Sequence, residues 1–323
     1  LKLNPKDSLI VLNKNTKDRN LGVIYGQAIG DAVGAYAEFR SKTSLARDFP
    51  TPESYTFPPP ERCRIPTFMK RETDCDWTDD TDHLILLIDM LNKSGNIVDN
   101  ESIKIFAKSL INWRDHGFKE LGDTHGAGIG SFTATVLSLP NFENDPINVS
   151  YNYWKRDGSK NSANGSLMRT SIMVCRNLNR DITLRDAELI SRVTHPSPEC
   201  SECVTVITDL IYSNIHGQKF GYKHNPVSSL SDLRLSDTTM GHVKKCFTVA
   251  IWAQYNSRKG YKCIIQEICL EGGDADTNCA VAGAVIGSIV GLSGLPKDWL
   301  EKLPHLSWLN VKVNKFMSML NLS

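Results

Sequence analysis

The chain has 323 residues, a hydrophobic content of 41%, a charged content of 23% and a net charge of +1. That is enough apolar sequence for one large core or two small ones. Lys and Arg are spread along the chain with no block of like charge, which argues against a binder of phosphate backbones. No stretch reaches the roughly 18 apolar residues of a membrane span; the nearest, from Ala280 to Leu292, is short and rich in Gly and Ala.

The first residue is Leu, and no basic-then-apolar leader pattern follows it. The nine cysteines, among them Cys63, Cys75, Cys175, Cys246 and Cys269, show no framework of close pairs. Reduced thiols in a cytoplasmic or nuclear compartment are the expectation. Cys200 and Cys203, with His195 nearby, look like half of a zinc site, but a second C-x-x-C is absent.

In chain order, residues 1–19 are polar and uneven and read as a tail or an extra turn; the domain is expected over 21–323, with 1–20 as its N-terminal tail. From Leu21 onward, Gly22, Gly26, Gly30 and Gly34 lie four apart. Such a stripe either admits a second helix at close range or helps build a site. The stretch Thr43–Arg71 holds six prolines (Pro50, Pro52, Pro58, Pro59, Pro60, Pro66) and is expected to be a long surface loop. Loops of that kind often carry function.

Helices follow. Leu84, Leu87, Ile88 and Leu91 share a face, as do Ile103, Phe106, Ala107 and Leu110. Val204, Ile207, Ile211 and Ile215 repeat the spacing, then Val243, Phe247, Ala250 and Ile251, then Ile264, Ile265, Ile268 and Cys269. Alternating β-branched runs are scarce, so the expectation is a single all-α domain.

Two acidic clusters stand out: Trp77-Thr78-Asp79-Asp80-Thr81-Asp82 and Glu271-Gly272-Gly273-Asp274-Ala275-Asp276-Thr277-Asn278. Each runs into an apolar or small-residue helix. Capping alone explains one or two such residues at a helix start. Each cluster supplies more than capping uses, and Gly272 and Gly273 permit close backbone approach. If the clusters meet, their carboxylates cannot all stay ionised without a counter-charge. Oxygen-only ligands suit hard ions, Mg²⁺ first and Mn²⁺ or Ca²⁺ as substitutes. Two ions fit that ligand count better than one, and such a pair can orient vicinal hydroxyls.

In this order the chain carries Gly26-Gln27-Ala28-Ile29-Gly30-Asp31-Ala32-Val33-Gly34 with Glu38, then Trp77 to Thr81, His125-Gly126-Ala127-Gly128, Asn164-Gly165-Ser166-Leu167-Met168-Arg169, Thr194-His195 and Gly272 to Asn278. The set resembles the ADP-ribosyl hydrolase family. Asp79-Asp80-x-Asp82 alone also resembles the Mg²⁺-diphosphate motif of terpene synthases, but the second motif of that family is missing.

The resemblance to the ADP-ribosyl hydrolases implies an all-α fold with a central two-Mg²⁺ cleft. It implies Thr78, Asp79, Asp80, Asp274, Asp276 and Thr277 as metal ligands, with Mn²⁺ as a substitute ion. Glu38, Asp79, Asp80 and Asp276 would carry catalysis, and Asp31 would support them. The loop Gly126–Gly130, including Gly128, and the segment Ser162–Asn164 would cradle a diphosphate. His195 would line the distal ribose. Asp123 and His125 stand near the phosphate loop as possible proton-transfer groups.

The implied reaction is hydrolysis at C1″ of ADP-ribose carried on serine, arginine, another protein side chain, O-acetyl-ADP-ribose or a nucleic-acid end. The implied partner is ADP-ribose or an ADP-ribosylated protein, acted on by a monomer. A silent ADP-ribose-binding or structural relative is the alternative.

Overall fold

The computed structural model describes residues 14–61, 76–222 and 229–321. They form α1 (Lys14–Gly34), α2 (Lys42–Asp48), α3 (Asp79–Ser94), α4 (Asn100–His116), α5 (Ser131–Leu137), α6 (Pro146–Arg156), α7 (Arg180–Arg192), α8 (Pro198–His216), α9 (Val243–Tyr255), α10 (Tyr261–Glu271), α11 (Ala275–Val290), α12 (Lys297–Leu300) and α13 (Leu306–Met319). A 3₁₀ segment spans Leu167–Arg176. Among the described residues there are no strands, only isolated bridges pairing Ser41 with Gly272 and Ala163 with His242. The fold is all-α, as expected, and none of the described helices is long and apolar enough to cross a membrane.

Each apolar stripe read from the sequence became the buried face of a helix. Leu84, Leu87, Ile88 and Leu91 of α3 are fully buried, and so are Phe106, Ala107 and Leu110 of α4. A buried side chain of this size contributes roughly 1.5–3 kcal/mol relative to exposure. Local signals set the ends. Asp99 caps α4, its Oδ1 accepting from the amides of Glu101 and Ser102 at 3.1 and 3.0 Å. Gly95 closes α3 in the left-handed region at φ 63°.

The glycine stripe resolves in favour of packing. A Cβ on Gly22, Gly26, Gly30 or Gly34 would stand 2.3, 2.4, 2.2 or 2.5 Å from the carbonyl oxygens of Gly287, Gly283, Cys279 and Ala275. On the facing helix, a Cβ on Gly283 or Gly287 would stand 2.2 or 1.9 Å from the carbonyl oxygens of Gly26 and Gly22. Helices α1 and α11 therefore touch backbone to backbone along their length. That contact explains the Gly and Ala content of Ala280–Leu292. The Tyr261 hydroxyl donates to the Gly26 carbonyl beside it.

Two boundaries move. Helix α1 begins at Lys14 rather than Leu21. Its polar first turns are held by tertiary hydrogen bonds: Arg19 Nη1 donates to the carbonyls of Asn214 and Ile215 at 2.5 and 3.2 Å, and Asp18 accepts from Ser293 N at 3.0 Å. Polar sequence that bonds across the molecule carries no periodicity, so it reads as a tail. The Pro-rich stretch is likewise no open loop as far as it is described. It contains α2, capped by Ser41, and a 3₁₀ turn at Pro52–Ser54. Tyr55 and Phe57 are buried, and the Tyr55 hydroxyl donates to the Val33 carbonyl at 2.9 Å. Pro66, Arg71, Cys63 and Cys75 lie outside the described residues.

Gly26→Ala places a methyl where the Gly283 carbonyl stands, and overpacking of this kind costs about 1–3 kcal/mol. Denaturant unfolding of this variant is expected to show a lower midpoint at an unchanged slope. An unshifted midpoint would mean that the close approach of α1 and α11 has been misread.

Candidate active site

The close approach of α1 and α11 sets Asp31 beside the start of α3. Asp31 is fully buried and accepts four hydrogen bonds: from Thr78 N at 3.0 Å, Thr78 Oγ1 at 2.9 Å, Thr81 N at 2.9 Å and Thr81 Oγ1 at 2.6 Å. Gln27, one helical turn earlier, donates to the Asp80 carbonyl at 3.2 Å and to the Met168 carbonyl at 2.8 Å. It also accepts from the Ser171 hydroxyl at 2.5 Å. The first acidic cluster is thus hung from α1 and braced on the 3₁₀ segment.

The second cluster arrives through Gly272 and Gly273, at φ 68° and 71°. A Cβ there would stand 2.0 Å from the Arg40 carbonyl and 1.9 Å from the Leu235 carbonyl. Only glycine combines that conformation with that approach. Gly273 N donates to the Arg40 carbonyl at 2.9 Å, and Phe39 N donates to the Gly273 carbonyl at 2.6 Å. Glu38 is thereby stitched to the turn that carries Asp274 and Asp276.

The two distant acidic stretches meet. Asp31, Asp80 and Asp276 bring carboxylate oxygens within 4.8 Å of one another, and so do Glu38, Asp274 and Asp276. Thr277 Oγ1 lies 3.2 Å and Thr78 Oγ1 3.1 Å from Asp80 Oδ2. No other group of three or more His, Cys, Asp and Glu side chains comes together in this way among the described residues. The zinc reading at Cys200 and Cys203 has no support: Cys200 is buried and its thiol donates to the Ala163 carbonyl.

Electrostatics follow from this crowding. Burial pushes the Asp31 carboxyl up to about 7 against its hydrogen bonds with Thr81 and Thr78. Burial, then Asp274 and Asp31, push Glu38 up to about 8, opposed by a hydrogen bond with Asp276. Asp79, Asp80 and Asp276 are each raised well above the usual carboxylate range, by burial first and then by neighbouring carboxylates, Asp31 and Asp274 among them in every case. Asp80 Oδ1 and Asp276 Oδ1 are buried without a hydrogen-bond partner. Clustered carboxylates with an orphaned oxygen on two of them, and threonine hydroxyls on Asp80 Oδ2, make an all-oxygen donor set that fits a hard divalent cation. The cluster can bind metal ions on chemical grounds.

The acids form one wall of a cleft of about 330 Å³. Glu38, Asp79, Asp274, Asp276 and Thr277 line it, together with Gly128, Asn164 and His195 from the sequence expectations. A Cβ on Gly128, which sits at φ 84°, would stand 2.9 Å from Asp79 Oδ1, so glycine lets this loop cross the acid. Asn164 donates to Asp274 Oδ2 at 2.6 Å, which makes it a brace for a carboxylate as well as a lining residue.

Other expected residues stand elsewhere. Gly126 packs on the Trp113 ring and is not among the lining residues. Ser162 also falls outside the lining; its hydroxyl pairs with that of Ser197 at 2.7 Å. His125 is exposed, and Asp123 accepts from Phe118 N at 2.8 Å. Asp82 turns away from its neighbours in sequence, accepting the indole N–H of Trp77 at 2.8 Å and of Trp113 at 2.9 Å.

Sequence reasoning missed Phe39, Phe132, Met168, Met240 and Gly241, which also line the cleft. Phe39 is 58% exposed and holds φ 56°, a left-handed conformation uncommon for a bulky residue. It directly follows Glu38, and a strained, exposed aromatic beside a buried acid is a signal only coordinates provide.

Residues 12–321 match the family model for ADP-ribosylglycohydrolase. The chain belongs to that family, whose members hydrolyse glycosidic bonds to ADP-ribose. It is similar to the ADP-ribosylarginine hydrolase Tri1 of Serratia proteamaculans, 24% identical over 91% of this chain and 77% of that protein. The Pseudomonas putida protein of the same name is 26% identical over 88% of this chain and 74% of that one. The ADP-ribosyl-[dinitrogen reductase] glycohydrolase of Rhodospirillum rubrum is 24% identical over 88% of this chain and 90% of the relative. A solved structure described as an ADP-ribosylglycohydrolase-related protein complex shares the fold, with a TM-score of 0.63, 22% identity and coverage of 95% of this chain and 99% of its own.

Without a cation, the folded protein holds protons on Asp31 and Glu38 that the unfolded chain releases near pH 4. Stability therefore falls as pH rises from about 4 towards about 8. A divalent cation bound there would replace those protons and stabilise more at the upper end of that window. Thermal unfolding in chelator and in excess Mg²⁺ should give a larger Mg²⁺-induced gain in Tm at pH 8 than at pH 5. Equal gains at both values would contradict the linkage.

Proposed function

We propose that this chain removes ADP-ribose from a protein side chain, with arginine as its preferred acceptor, using two Mg²⁺ ions held by Thr78, Asp79, Asp80, Asp274, Asp276 and Thr277. The observation that carries the reading is the meeting of Asp80 and Asp276, residues from opposite parts of the sequence, with an unpartnered buried oxygen on each. Mn²⁺ would serve as a substitute ion. When bound, the ions would supply a template for vicinal ribose hydroxyls and a polarising charge at the water.

The chain's own residues divide the remaining work. Glu38 borders the acid cluster and the cleft, where its carboxylate takes a proton from the attacking water. The water oxygen bonds to C1″ as the bond from C1″ to the acceptor nitrogen breaks, and the proton passes on to the leaving guanidine. Asp79 and Asp276 face the positive charge that develops on the sugar in an oxocarbenium-like transition state. Gly128 lies against Asp79 and Asn164 is committed to Asp274, so both would hold the acid wall in place while the diphosphate takes its contacts from neutral donors farther along the cleft. Gly126 and Ser162, off the cleft wall, would act only by holding the neighbouring loop segments.

The arginine choice rests on the named activity of the Serratia and Pseudomonas relatives. It rests also on Phe39, an exposed ring at the cleft that suits a planar cation. The described cysteines are all free, which supports a reducing, cytoplasmic setting for the reaction.

Incubation with ADP-ribosylated arginine and serine peptides, in Mg²⁺ or chelator, is expected to release free ADP-ribose from the arginine peptide in Mg²⁺ only. Glu38→Gln should lower kcat by roughly 10²–10⁴-fold, and Asp80→Asn or Asp276→Asn should abolish release. Equal cleavage of both peptides would remove the acceptor preference. No release from any acceptor would leave the silent relative as the better description.

A further inference from the structure

His195 is 2% exposed and lines the cleft next to Phe132, whose ring centroid lies 5.3 Å from its own. Its Nδ1 is 2.7 Å from Thr194 Oγ1. Behind Thr194 stands Arg169, fully buried, whose Nη2 donates to the same Thr194 oxygen at 2.8 Å and to the Ile190 carbonyl at 3.2 Å. A guanidinium has donors only. Thr194 Oγ1 is therefore committed as an acceptor on the arginine side, and its own proton has Nδ1 as its partner. The reverse assignment would put two donors on the threonine oxygen and leave a buried hydroxyl proton with no acceptor among the described residues.

Burial, and then the Arg169 charge, hold the imidazole near 3, so the ring is neutral and carries one proton. His83, the other buried imidazole close to Arg169, is also held neutral, and it packs edge-on against Trp113 at 4.6 Å. With Nδ1 accepting, the proton of His195 sits on Nε2. That atom is buried, has no partner and borders the space above Gly165, where a Cβ would stand 3.1 Å away.

We propose that Arg169 and Thr194 are positioning residues that lock His195 as its Nε2–H tautomer. The cleft then presents one fixed N–H donor to a phosphate or ribose oxygen of the ligand. On this assignment His195 binds and orients and does not move protons during turnover. The ligand half of the inference rests on the ADP-ribose reading above; the tautomer half does not.

The test uses the full chain with ¹⁵N-labelled histidine rings and free ADP-ribose as the probe. In the wild type, ring spectra should show a pyridine-like Nδ1 and a pyrrole-like Nε2 for His195, unchanged from pH 6 to pH 9. Thr194→Val should mix or reverse the tautomers, weaken ADP-ribose binding about tenfold, the worth of one hydrogen bond, and raise KM with little change in kcat. Thr194→Ser should restore both. A proton on Nδ1 in the wild type overturns the proposal, and so does a Thr194→Val protein with wild-type tautomer and affinity. If Thr194→Val fails to fold, the wild-type spectrum and Thr194→Ser still decide. A wild-type protein with the expected tautomer but no affinity for ADP-ribose sinks the functional reading and the ligand half together, and leaves the lock itself standing.

Discussion

Helices α1 and α11 approach until glycine faces carbonyl, and the cleft depends on that approach. Asp31 sits on α1 between two of the stripe glycines, and Asp276 opens α11. Were the helices separated by ordinary side chains, the axes would stand at the usual 8–10 Å or more, and carboxylate oxygens from the two could not gather within 4.8 Å. Small residues here do not make a weak core. They convert side-chain volume into proximity, and proximity sets the chemistry. The turn at Gly272 and Gly273 does the same work locally, carrying Glu38 to Asp274 and Asp276 through backbone hydrogen bonds alone.

That proximity is costly, and the protein divides the cost unevenly. Asp31 is paired fourfold with Thr78 and Thr81, and Asp274 is braced by Asn164. Asp82 has each oxygen satisfied by an indole donor. Asp80 and Asp276, in contrast, each keep an oxygen without a partner. Buried polar atoms are rarely left so unless something else satisfies them. Asp31 and Asp82, paired on both oxygens, read as scaffold, and Asp80 and Asp276 as ligands in waiting. Arg169, buried and held down to about 9 by its own burial, stays cationic near neutral pH and offsets part of the field through Asp79.

The sequence made the scaffold legible because helices announce themselves in periodicity. The stripes of α3, α4, α8, α9 and α10 were visible residue by residue, and both acid clusters were visible as more carboxylate than capping requires. What stayed hidden depends on tertiary placement. Asp79, Asp80 and Asp82 look alike in a string, yet Asp82 belongs to Trp77 and Trp113. Gly126 and Gly128 look alike, yet one packs on an indole and the other crosses Asp79. The polar first turns of α1 and the helix within the Pro-rich stretch carry no apolar rhythm, since distant hydrogen bonds and one cap hold them. Phe39 gave no signal at all, because its left-handed backbone and exposure exist only once Gly273 has fixed the turn.

The cleft is also polarised, and this constrains how a ligand of the proposed kind would lie in it. Where its carboxylates are ionised, an acid wall repels a diphosphate as strongly as it attracts a cation, at about 4 kcal/mol for unit charges 4 Å apart at an effective dielectric of 20. The phosphates must therefore keep to the side lined by neutral donors. Gly165, Thr133 and the fixed N–H of His195 stand there, with Arg169 behind them. Uncharged ribose hydroxyls are the part of the molecule that can face Asp80 and Asp276, directly or across cations. On the proposed reading, charge would order the ligand along the cleft and turn its anomeric carbon towards Glu38. A positively charged acceptor leaving past Phe39 would meet the negative end of the same gradient. On that account the proposed preference for a cationic leaving group and the proposed use of metal would have one cause, the surplus of carboxylate that α1 and α11 force together.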